Sequence, residues 1–403
     1  MMDIQAIRKE FPALRNYIWF QNGGVSITPR CIAAEHARLM QELLDRGPMH
    51  IVYPDEEFPR RTATMDRLAR FFSVSASELA IMRGVSEAFQ TVLRGMSWQA
   101  GDEIIMTEDE EAALLLPALH LRDRSGVRVV KLPLLSVAGG QSSPQASYDP
   151  ELLVESLRSR LTSRTKLVAV SHVTTDLGVR LPIESLCDAA RRQGVATFVD
   201  LAHSAGLFPI PLRQLGCDFA GLLSYKWMYA PYASGLLFVR EENRELLQVT
   251  YAGGRSEEWL DFENDQYALA DSARRFQYGP WSWPLVHSWR AAADWLDEIG
   301  LDVIWERTAA LTTRLNDGVR SIAGTTLYTP RTPEHSAALV TFGVPGWTGE
   351  ELATALRARW NMIVKPLPHT REGLRISLPF FLLEEEIDQL IDAIATLVAE
   401  RRT

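Results

Sequence analysis

Two charged residues that follow apolar strands have the right types and positions for a catalytic centre. Lys226 comes directly after the stretch "FAGLLSY", and Asp200 ends the stretch "VATFVD". An ammonium group is seldom buried without a partner or a reaction, because it is strongly hydrated. Pyridoxal phosphate requires such a pair: an amine that bonds to its aldehyde, and a carboxylate that keeps its ring nitrogen protonated. Taken singly, the two residues also fit a solvated surface lysine and a turn-capping aspartate.

The pattern of apolar segments predicts the elements that carry these residues. From about residue 78, short apolar strands alternate with amphipathic helices, which is typical of a mostly parallel sheet covered on both faces. Strands are predicted in "ELAIMRG", "DEIIMTE", "VRVVKLPL", "KLVAVSHVTT", "VATFVDLA", "CDFAGLLS" and "GLLFVR", and helices from Ser86, near residue 111 and at Pro182. Ligands bind at the carboxyl ends of such strands. We therefore expect Asp200 and Lys226 at the same edge of the sheet.

The second part of the chain has a different pattern of apolar residues. After about residue 285, long amphipathic helices with a few strands indicate a smaller α+β domain. We assign residues 16–280 to the large α/β domain, and residues 1–15 and 281–403 to the small one, on which the N-terminal helix is expected to pack. The Gly-, Ser- and Pro-rich segment 136–150 is predicted to be a surface loop.

Composition argues against several classes of protein. The 403 residues carry a formal net charge of -9 without a basic stripe, which is unlike proteins that bind nucleic acid or anionic membranes. No apolar run approaches the roughly 18 residues of a membrane helix, and the N-terminus does not resemble a signal peptide. Cys31, Cys187 and Cys217 form no CxxC pair, and the histidines show no HxxxH spacing. We therefore predict a cytoplasmic protein that acts on small molecules, without disulfides or a metal site.

The sequence resembles the class V aminotransferase family of fold-type I pyridoxal phosphate enzymes over most of its length. The resemblance rests on "SHVTTDLGVRLPIESLCDAARRQGVATFVDLAHSAG" (171–206), "CDFAGLLSYKWMYAPYASGLLFVR" (217–240), "GVSEA" (84–88) and "GLRISLPFFLLEEEID" (373–388). Within the family it is most similar to the isopenicillin N epimerase-like branch, and "SYKW" also resembles kynureninase. The resemblance implies the fold-type I architecture, pyridoxal 5'-phosphate as the cofactor and a homodimer with sites at the interface. It also implies that Lys226 forms the Schiff base and Asp200 pairs with the ring nitrogen.

The resemblance implies three further residues around the cofactor ring and the substrate. His203 falls where the family places a Gln or His beside the ring hydroxyl, and Thr175 falls where it often places an Asn. Arg375, in "GLRIS", falls where the family binds the substrate carboxylate. A planar guanidinium can hold a carboxylate through two parallel hydrogen bonds.

The stretch "GVSEA" is predicted to bind the cofactor phosphate. Ser86 and the amides that follow it, including that of Glu87, fall at a helix start, where the dipole and the free N–H groups favour an anion. A plain Ser N-cap with Glu in the first turn is compatible with this interpretation. Tyr225 resembles the kynureninase residue that reaches the phosphate, and Ser224 is its predicted companion.

Glu111 departs from the family pattern. The family would place an aromatic residue or a His at this position, stacked on the pyridine ring, and a carboxylate cannot stack in this way. We favour a solvated helix glutamate, with a ring from Trp227, Trp281 or Trp283 covering the cofactor. The alternatives are that Glu111 is an acid–base group close to the substrate, or that the alignment is shifted.

Two other departures limit the comparison. Pro280 stands where the family often has a Thr that crosses the dimer interface to the phosphate, and proline offers neither a hydroxyl nor an N–H. No cysteine lies between Trp281 and Arg375, where desulfurases keep the thiol that forms the persulfide. Cysteine desulfurase activity is therefore not expected.

These features together predict an enzyme of α-amino acids. We favour a carbon–sulfur β-lyase that acts on a cysteine S-conjugate, because the epimerase-like branch contains such lyases in secondary metabolism, including antibiotic biosynthesis. Decarboxylation-coupled oxidative deamination, transamination and epimerisation stay open as alternatives. A scaffold protein that keeps the fold without the chemistry is the alternative from another class.

Overall fold

The structure is a computed structural model that describes residues 2–48, 54–136, 147–330, 332–367 and 371–401. Residues 137–146 of the predicted surface loop lie outside this description. The α-helices are α1 (Ile4–Lys9), α2 (Arg30–Arg46), α3 (Pro54–Phe71), α4 (Val85–Gly95), α5 (Ala112–Ser125), α6 (Pro150–Arg160), α7 (Ile183–Arg191), α8 (Leu212–Leu215), α9 (Trp283–Ile299), α10 (Leu301–Ser321), α11 (Gly349–Trp360) and α12 (Glu384–Glu400). The strands are β1 (Ile18–Trp19), β2 (Leu79–Met82), β3 (Glu103–Thr107), β4 (Arg128–Leu132), β5 (Leu135–Ser136), β6 (Ser147–Tyr148), β7 (Thr165–Ser171), β8 (Ala196–Asp200), β9 (Phe219–Leu223), β10 (Gly235–Val239), β11 (Glu257–Asp261), β12 (Gln266–Leu269), β13 (Thr326–Leu327), β14 (Leu339–Gly343), β15 (Met362–Ile363), β16 (Lys365–Pro366) and β17 (Leu374–Ser377). Short 3-10 helices span Pro12–Arg15, Ala76–Glu78, Glu241–Leu246, Ala273–Phe276 and Pro333–His335.

A seven-stranded sheet forms the centre of the molecule. Its strand order is β2-β10-β9-β8-β7-β3-β4, and β10 runs antiparallel to both of its neighbours while the other strand pairs are parallel. The seven strands are those that the apolar segments predict. The mostly parallel α/β sheet is therefore confirmed.

The strands of this sheet are apolar because both faces are covered. Ile105 and Val168 belong to the core on one face, and their sequence neighbours Ile104 and Leu167 belong to the core on the other. Successive side chains of a strand point to opposite faces, so a strand buried on both sides must be apolar throughout. This burial explains why these segments show no polar alternation.

The register of the parallel strands brings functional residues to one edge. Ser171 at the end of β7 pairs with Asp200 at the end of β8, and Asp200 pairs with Gly221 of β9. Lys226 follows the end of β9 by three residues. The predicted positions of Asp200 and Lys226 at the same sheet edge are confirmed.

A smaller antiparallel sheet lies in the C-terminal part, with the order β13-β14-β17-β16. It shares a hydrophobic core with helices α10, α11 and α12. Arg8 of α1 donates to Glu386 of α12 at 2.8 Å, so the N-terminus contacts this part of the chain. The proposed domain boundaries stay a prediction. None of the helices within the described ranges is both long and apolar enough to span a membrane.

Candidate active site

Lys226 lies buried at the carboxyl end of the sheet. Lys226 is 7% exposed, and its Nζ atom lies 3.3 Å from Nε2 of His203. Burial lowers the pKa of Lys226 to about 8, and the positive charges of Arg375 and Lys365 act in the same direction. The carboxylates of Glu111 and Asp200 oppose this shift. A large fraction of this amine is therefore unprotonated at mildly alkaline pH, as a nucleophilic lysine requires.

Asp200 is the second buried charge of the site. Its Oδ1 atom accepts a hydrogen bond from the backbone N–H of Ala202 at 2.7 Å. Burial raises the pKa of Asp200 to about 6, while the Ala202 hydrogen bond and the Lys226 charge oppose the rise. A cationic partner in this space would favour the ionised form further.

His203 and Thr175 connect Lys226 to the rest of the site. Nε2 of His203 lies 3.5 Å from Oγ1 of Thr175, and both residues are buried. Burial and the charges of Lys226, Arg375 and Lys365 lower the pKa of His203 well below its usual value, so the imidazole is neutral. Its Nδ1 atom is buried without a hydrogen-bond partner among the described residues.

Arg375 is 1% exposed and reaches Thr175 from β17. Its terminal nitrogen donates to the carbonyl oxygen and to Oγ1 of Thr175, both at 3.0 Å. Its Nε atom has no partner in the part of the chain that the structure describes. The guanidinium is thus held in place while one of its donors stays available.

Glu111 is the N-cap residue of α5 and is half-buried, so the interpretation as a solvated helix glutamate is wrong. Its Oε2 atom accepts a hydrogen bond from Oγ1 of Thr175 at 2.7 Å. Burial raises the pKa of Glu111, but the charge of Lys226, the Thr175 hydrogen bond and the charges of Lys365 and Arg375 outweigh it and leave the pKa below its usual value. Glu111 is therefore an ionised member of the site.

The three tryptophans that we expect as candidates to cover the cofactor ring lie in two different places. Trp227 is 1% exposed and packs in the core of the large sheet. Trp281 and Trp283 line an apolar cavity of about 740 Å³ together with Phe58 and Pro280. Among the described residues, none of the three indoles forms a ring contact with His203, and the identity of the covering ring stays a prediction.

The start of α4 differs in detail from its prediction. The helix begins at Val85, and its N-cap is Gly84 rather than Ser86. The backbone φ of Gly84 is 155°, and a Cβ atom there would meet nothing within 4 Å. Ser86 is exposed, and the carboxylate of Glu87 binds the side chain of Arg83 at 2.8 Å. What this helix start offers an anion is therefore free backbone N–H groups and an exposed hydroxyl, but not the Glu87 carboxylate.

Of the residues next to the lysine, Tyr225 is more open than Ser224. Ser224 is fully buried, and its hydroxyl donates to the carbonyl of Pro231. The hydroxyl proton of Ser224 is therefore bound to a carbonyl of the same loop and is not free to donate to a phosphate. Tyr225 is half-buried and stacks on Tyr232, with ring centroids 5.0 Å apart.

Three residues of the site were missed from the sequence. Nδ2 of Asn22 donates to the carbonyl of Lys226 at 3.3 Å, and Oγ of Ser26 donates to that of Tyr225 at 2.9 Å. Lys365 is the cross-strand partner of Arg375 and shares its electrostatic surroundings. The "NGG" turn at residues 22–24 was a visible signal of a close backbone approach. Nothing local marks Lys365, because its importance comes from the pairing of β16 with β17.

The residues at this edge fit pyridoxal phosphate. The site combines an amine of lowered pKa, a buried carboxyl and the unpartnered Nδ1 atom of His203. The open space beside Gly84 at the start of α4 offers backbone donors for a phosphate. No cluster of three or more His, Cys, Asp or Glu side chains suited to a metal ion occurs in the described ranges.

The chain belongs to the aminotransferase class-V family, whose model matches residues 60–390. It is a pyridoxal 5'-phosphate-dependent enzyme with the fold-type I architecture, so the predicted family, fold and cofactor are confirmed. It is 29% identical to the isopenicillin N epimerase of Streptomyces clavuligerus over 346 residues, which cover 83% of this chain and 84% of the epimerase. It is 25% identical to a probable cysteine desulfurase of Xylella fastidiosa over 421 residues, which cover 97% and 95% of the two chains.

Solved structures share this fold. An apo cysteine desulfurase from Thermococcus onnurineus superposes with a TM-score of 0.86 at 22% identity and covers 99% of both chains. The cystine C–S lyase C-DES, in complex with cysteine persulfide, superposes with a TM-score of 0.85 at 22% identity, over 96% of this chain and 99% of the lyase. At this level of identity the likeness concerns the fold.

Proposed function

We propose that this enzyme is a carbon–sulfur β-lyase that acts on a cysteine S-conjugate in secondary metabolism. The observation that carries the proposal is the convergence of Glu111 and Arg375 on Thr175, which His203 links to the amine of Lys226. Cys187 and Cys217 are buried, and Cys31 is exposed on α2. The resemblance to the cystine lyase supports carbon–sulfur bond cleavage, whereas the resemblance to the epimerase supports only the removal of a Cα proton.

Four residues have proposed roles in holding the cofactor. Asp200 would pair with the ring nitrogen of the cofactor, and the neutral His203 would contact its ring. Backbone donors at the start of α4, with Ser86 and Tyr225, bind the phosphate. When bound, pyridoxal phosphate supplies an electron sink for the electron pair left at the substrate Cα atom.

Arg375 and Lys226 have proposed roles in the reaction itself. The free donor of Arg375 binds the substrate carboxylate and fixes the direction of the Cα–H bond. Lys226 takes the Cα proton, and the Cβ–S bond breaks with its electron pair on sulfur. The proton on Lys226 then passes to the thiolate. With one water molecule consumed, the products are a thiol, pyruvate and ammonia.

Glu111 has a different proposed role from Lys226. Since its pKa lies below the usual value, it is ionised at neutral pH and accepts hydrogen bonds rather than donating a proton. We assign to it the orientation of Thr175, to which it is bonded, and the balance of positive charge near the substrate. This assignment replaces a stacking ring with an electrostatic contact.

Cysteine desulfuration is the second candidate, because relatives with that name match nearly the whole chain. A desulfurase transfers sulfur to an enzyme thiol and releases alanine, whereas a β-lyase releases pyruvate. The two described cysteines within the core have raised pKa values because of burial, which opposes thiolate formation. The release of alanine or of pyruvate therefore separates desulfuration from β-lyase activity.

The test is to incubate the purified holoenzyme with cysteine, cystine, S-substituted cysteines and common amino acids. We expect stoichiometric pyruvate, ammonia and thiol from an S-substituted cysteine. Alanine would select desulfuration, carbon dioxide with an aldehyde would select oxidative decarboxylation, and a keto acid without ammonia would select transamination. A racemised amino acid would select epimerisation.

The control for this test is a pair of lysine variants. Lys226→Ala should abolish turnover and the absorbance of the lysine-bound cofactor, while Lys166→Ala, at an exposed position of β7, should change neither. Normal turnover by Lys226→Ala would refute the proposed function.

A further inference from the structure

A second buried carboxyl lies at the sheet edge that carries Asp200. Glu110 is 4% exposed and follows β3 by three residues. Its Oε1 atom accepts from Oγ1 of Thr107 at 2.5 Å and from the backbone N–H of Thr107 at 3.3 Å. Its Oε2 atom accepts from Oγ of Ser171 at 2.6 Å and from the backbone N–H of Ser171 at 3.0 Å. Two hydroxyls and two backbone N–H groups thus surround one carboxyl group, and either hydroxyl can also accept a hydrogen bond from a protonated carboxyl.

These contacts join strand ends that position the site. Thr107 ends β3, Ser171 ends β7, and Ser171 is the register partner of Asp200 at the end of β8. The backbone N–H of His172 also donates to the carbonyl of Asp200 at 2.8 Å. Glu110 therefore fixes the part of the sheet edge from which Asp200 projects. It also fixes the turn that carries Glu111, its neighbour in sequence.

Burial and two neighbouring carboxyls oppose the ionisation of Glu110. The groups that face it are Asp200 on β8, Asp109 in the same turn and Lys131 on β4. Lys131 donates to the carbonyl of Thr107 at 3.2 Å, and no ion pair to Glu110 occurs in the described residues. Burial and the repulsion of the two aspartates raise the pKa of Glu110 to about 8, against the hydrogen bonds from Ser171 and Thr107.

We propose that Glu110 is a positioning residue that keeps its proton, leaves the negative charge of the carboxyl pair to Asp200, and holds the strand ends that direct Asp200. This inference rests on the proposed role of Asp200 at the cofactor ring. Two buried carboxyls that repel each other do not both ionise readily. The charge of Lys226 favours the anion on Asp200, whereas Glu110 has no ion pair in the described residues. Glu110 therefore carries the proton, and Asp200 is the anion.

The first test measures the thermal stability of the apoprotein against pH. A carboxyl whose pKa is raised on folding keeps a proton that the unfolded chain loses, so its contribution to stability falls as pH rises from about 4.5 to about 8. Glu110→Gln does not titrate. The difference between its Tm and the wild-type Tm should therefore increase in favour of the variant between pH 5 and 8 and then level off.

The matched control is Glu108→Gln, which changes an exposed glutamate in the same turn. Its Tm difference should stay constant over this range. A constant difference for Glu110→Gln as well would overturn the proposal. Infrared difference spectra give a direct check, since the carbonyl band of a protonated carboxyl should be present at pH 7 and missing in Glu110→Gln.

The second test measures pyridoxal phosphate affinity at pH 7 by absorbance titration. Glu110→Gln should bind within about threefold of wild type, because a neutral group of the same shape remains. Glu110→Ala should bind at least about tenfold more weakly, because the hydroxyl and N–H donors lose their shared acceptor. If Glu110→Ala does not fold, as judged by circular dichroism, Ser171→Ala replaces it, with a smaller loss in the same direction.

Either of two results would overturn the inference. Equal weakening in Glu110→Gln and Glu110→Ala would mean that the charge is required, and unchanged binding in Glu110→Ala would mean that the contacts do not matter. Neither readout depends on turnover. The inference and the proposed lyase activity can therefore fail separately.

Discussion

At the scale of single residues, the charge state of Lys226 controls its reactivity. Its pKa of about 8, lowered from 10.5 mainly by burial, predicts that the apoprotein captures pyridoxal phosphate faster as pH rises, with a half-maximal rate near pH 8. Glu111 raises this pKa, so Glu111→Gln should move the midpoint to lower pH. Stopped-flow absorbance of cofactor capture measures both effects.

The control for this residue-scale prediction is again Glu108→Gln, because its carboxylate is exposed outside the site. Its midpoint should equal that of wild type. A wild-type midpoint close to 10.5 would contradict the buried setting of the amine. A midpoint in Glu111→Gln that moves upward would contradict the electrostatic role of Glu111.

At the scale of elements, the start of α4 depends on the backbone of Gly84. Its φ of 155° is strained for any residue with a side chain, so Gly84→Ala should destabilise the protein by about 1–3 kcal/mol although open space surrounds the position. Gly194→Ala, also at positive φ in open space, is the matched control. Thermal denaturation measures the destabilisation. Only Gly84→Ala should also weaken pyridoxal phosphate binding. If Gly84→Ala bound the cofactor as tightly as wild type, this would contradict a phosphate site at this helix.

The elements also show what the sequence can predict. Apolar runs predicted the seven central strands because a strand buried on both faces has a simple signature. The start of α4 was misplaced by one residue, because the φ of Gly84 is not visible in a residue pattern. The contacts of Asn22 and Lys365 were missed, since each depends on a partner elsewhere in the fold. Glu111 was misjudged because its cationic neighbours come from other elements.

At the scale of the whole molecule, an exposed apolar hairpin supports the predicted homodimer. Trp259, Phe262 and Tyr267 of the β11–β12 hairpin are 49%, 85% and 62% exposed. Apolar groups gathered in this way are typical of a surface that another protein covers. We expect Phe262→Asp combined with Tyr267→Asp to shift the protein toward the monomer in sedimentation velocity. Leu152→Asp, at an exposed position of α6, should not.

The N-terminal segment contacts the loop that carries Tyr225 and Lys226, and this contact affects the order of events in biosynthesis. Asn22 and Ser26 bind carbonyl groups of Lys226 and Tyr225, about two hundred positions later in the chain. A ribosome has to synthesise more than half of the 403 residues before these partners can meet. Capture of vitamin B6 by Lys226 can then begin only after that part of the chain has been made, and a nascent chain stalled before residue 226 lacks the segment on which Asn22 and Ser26 dock.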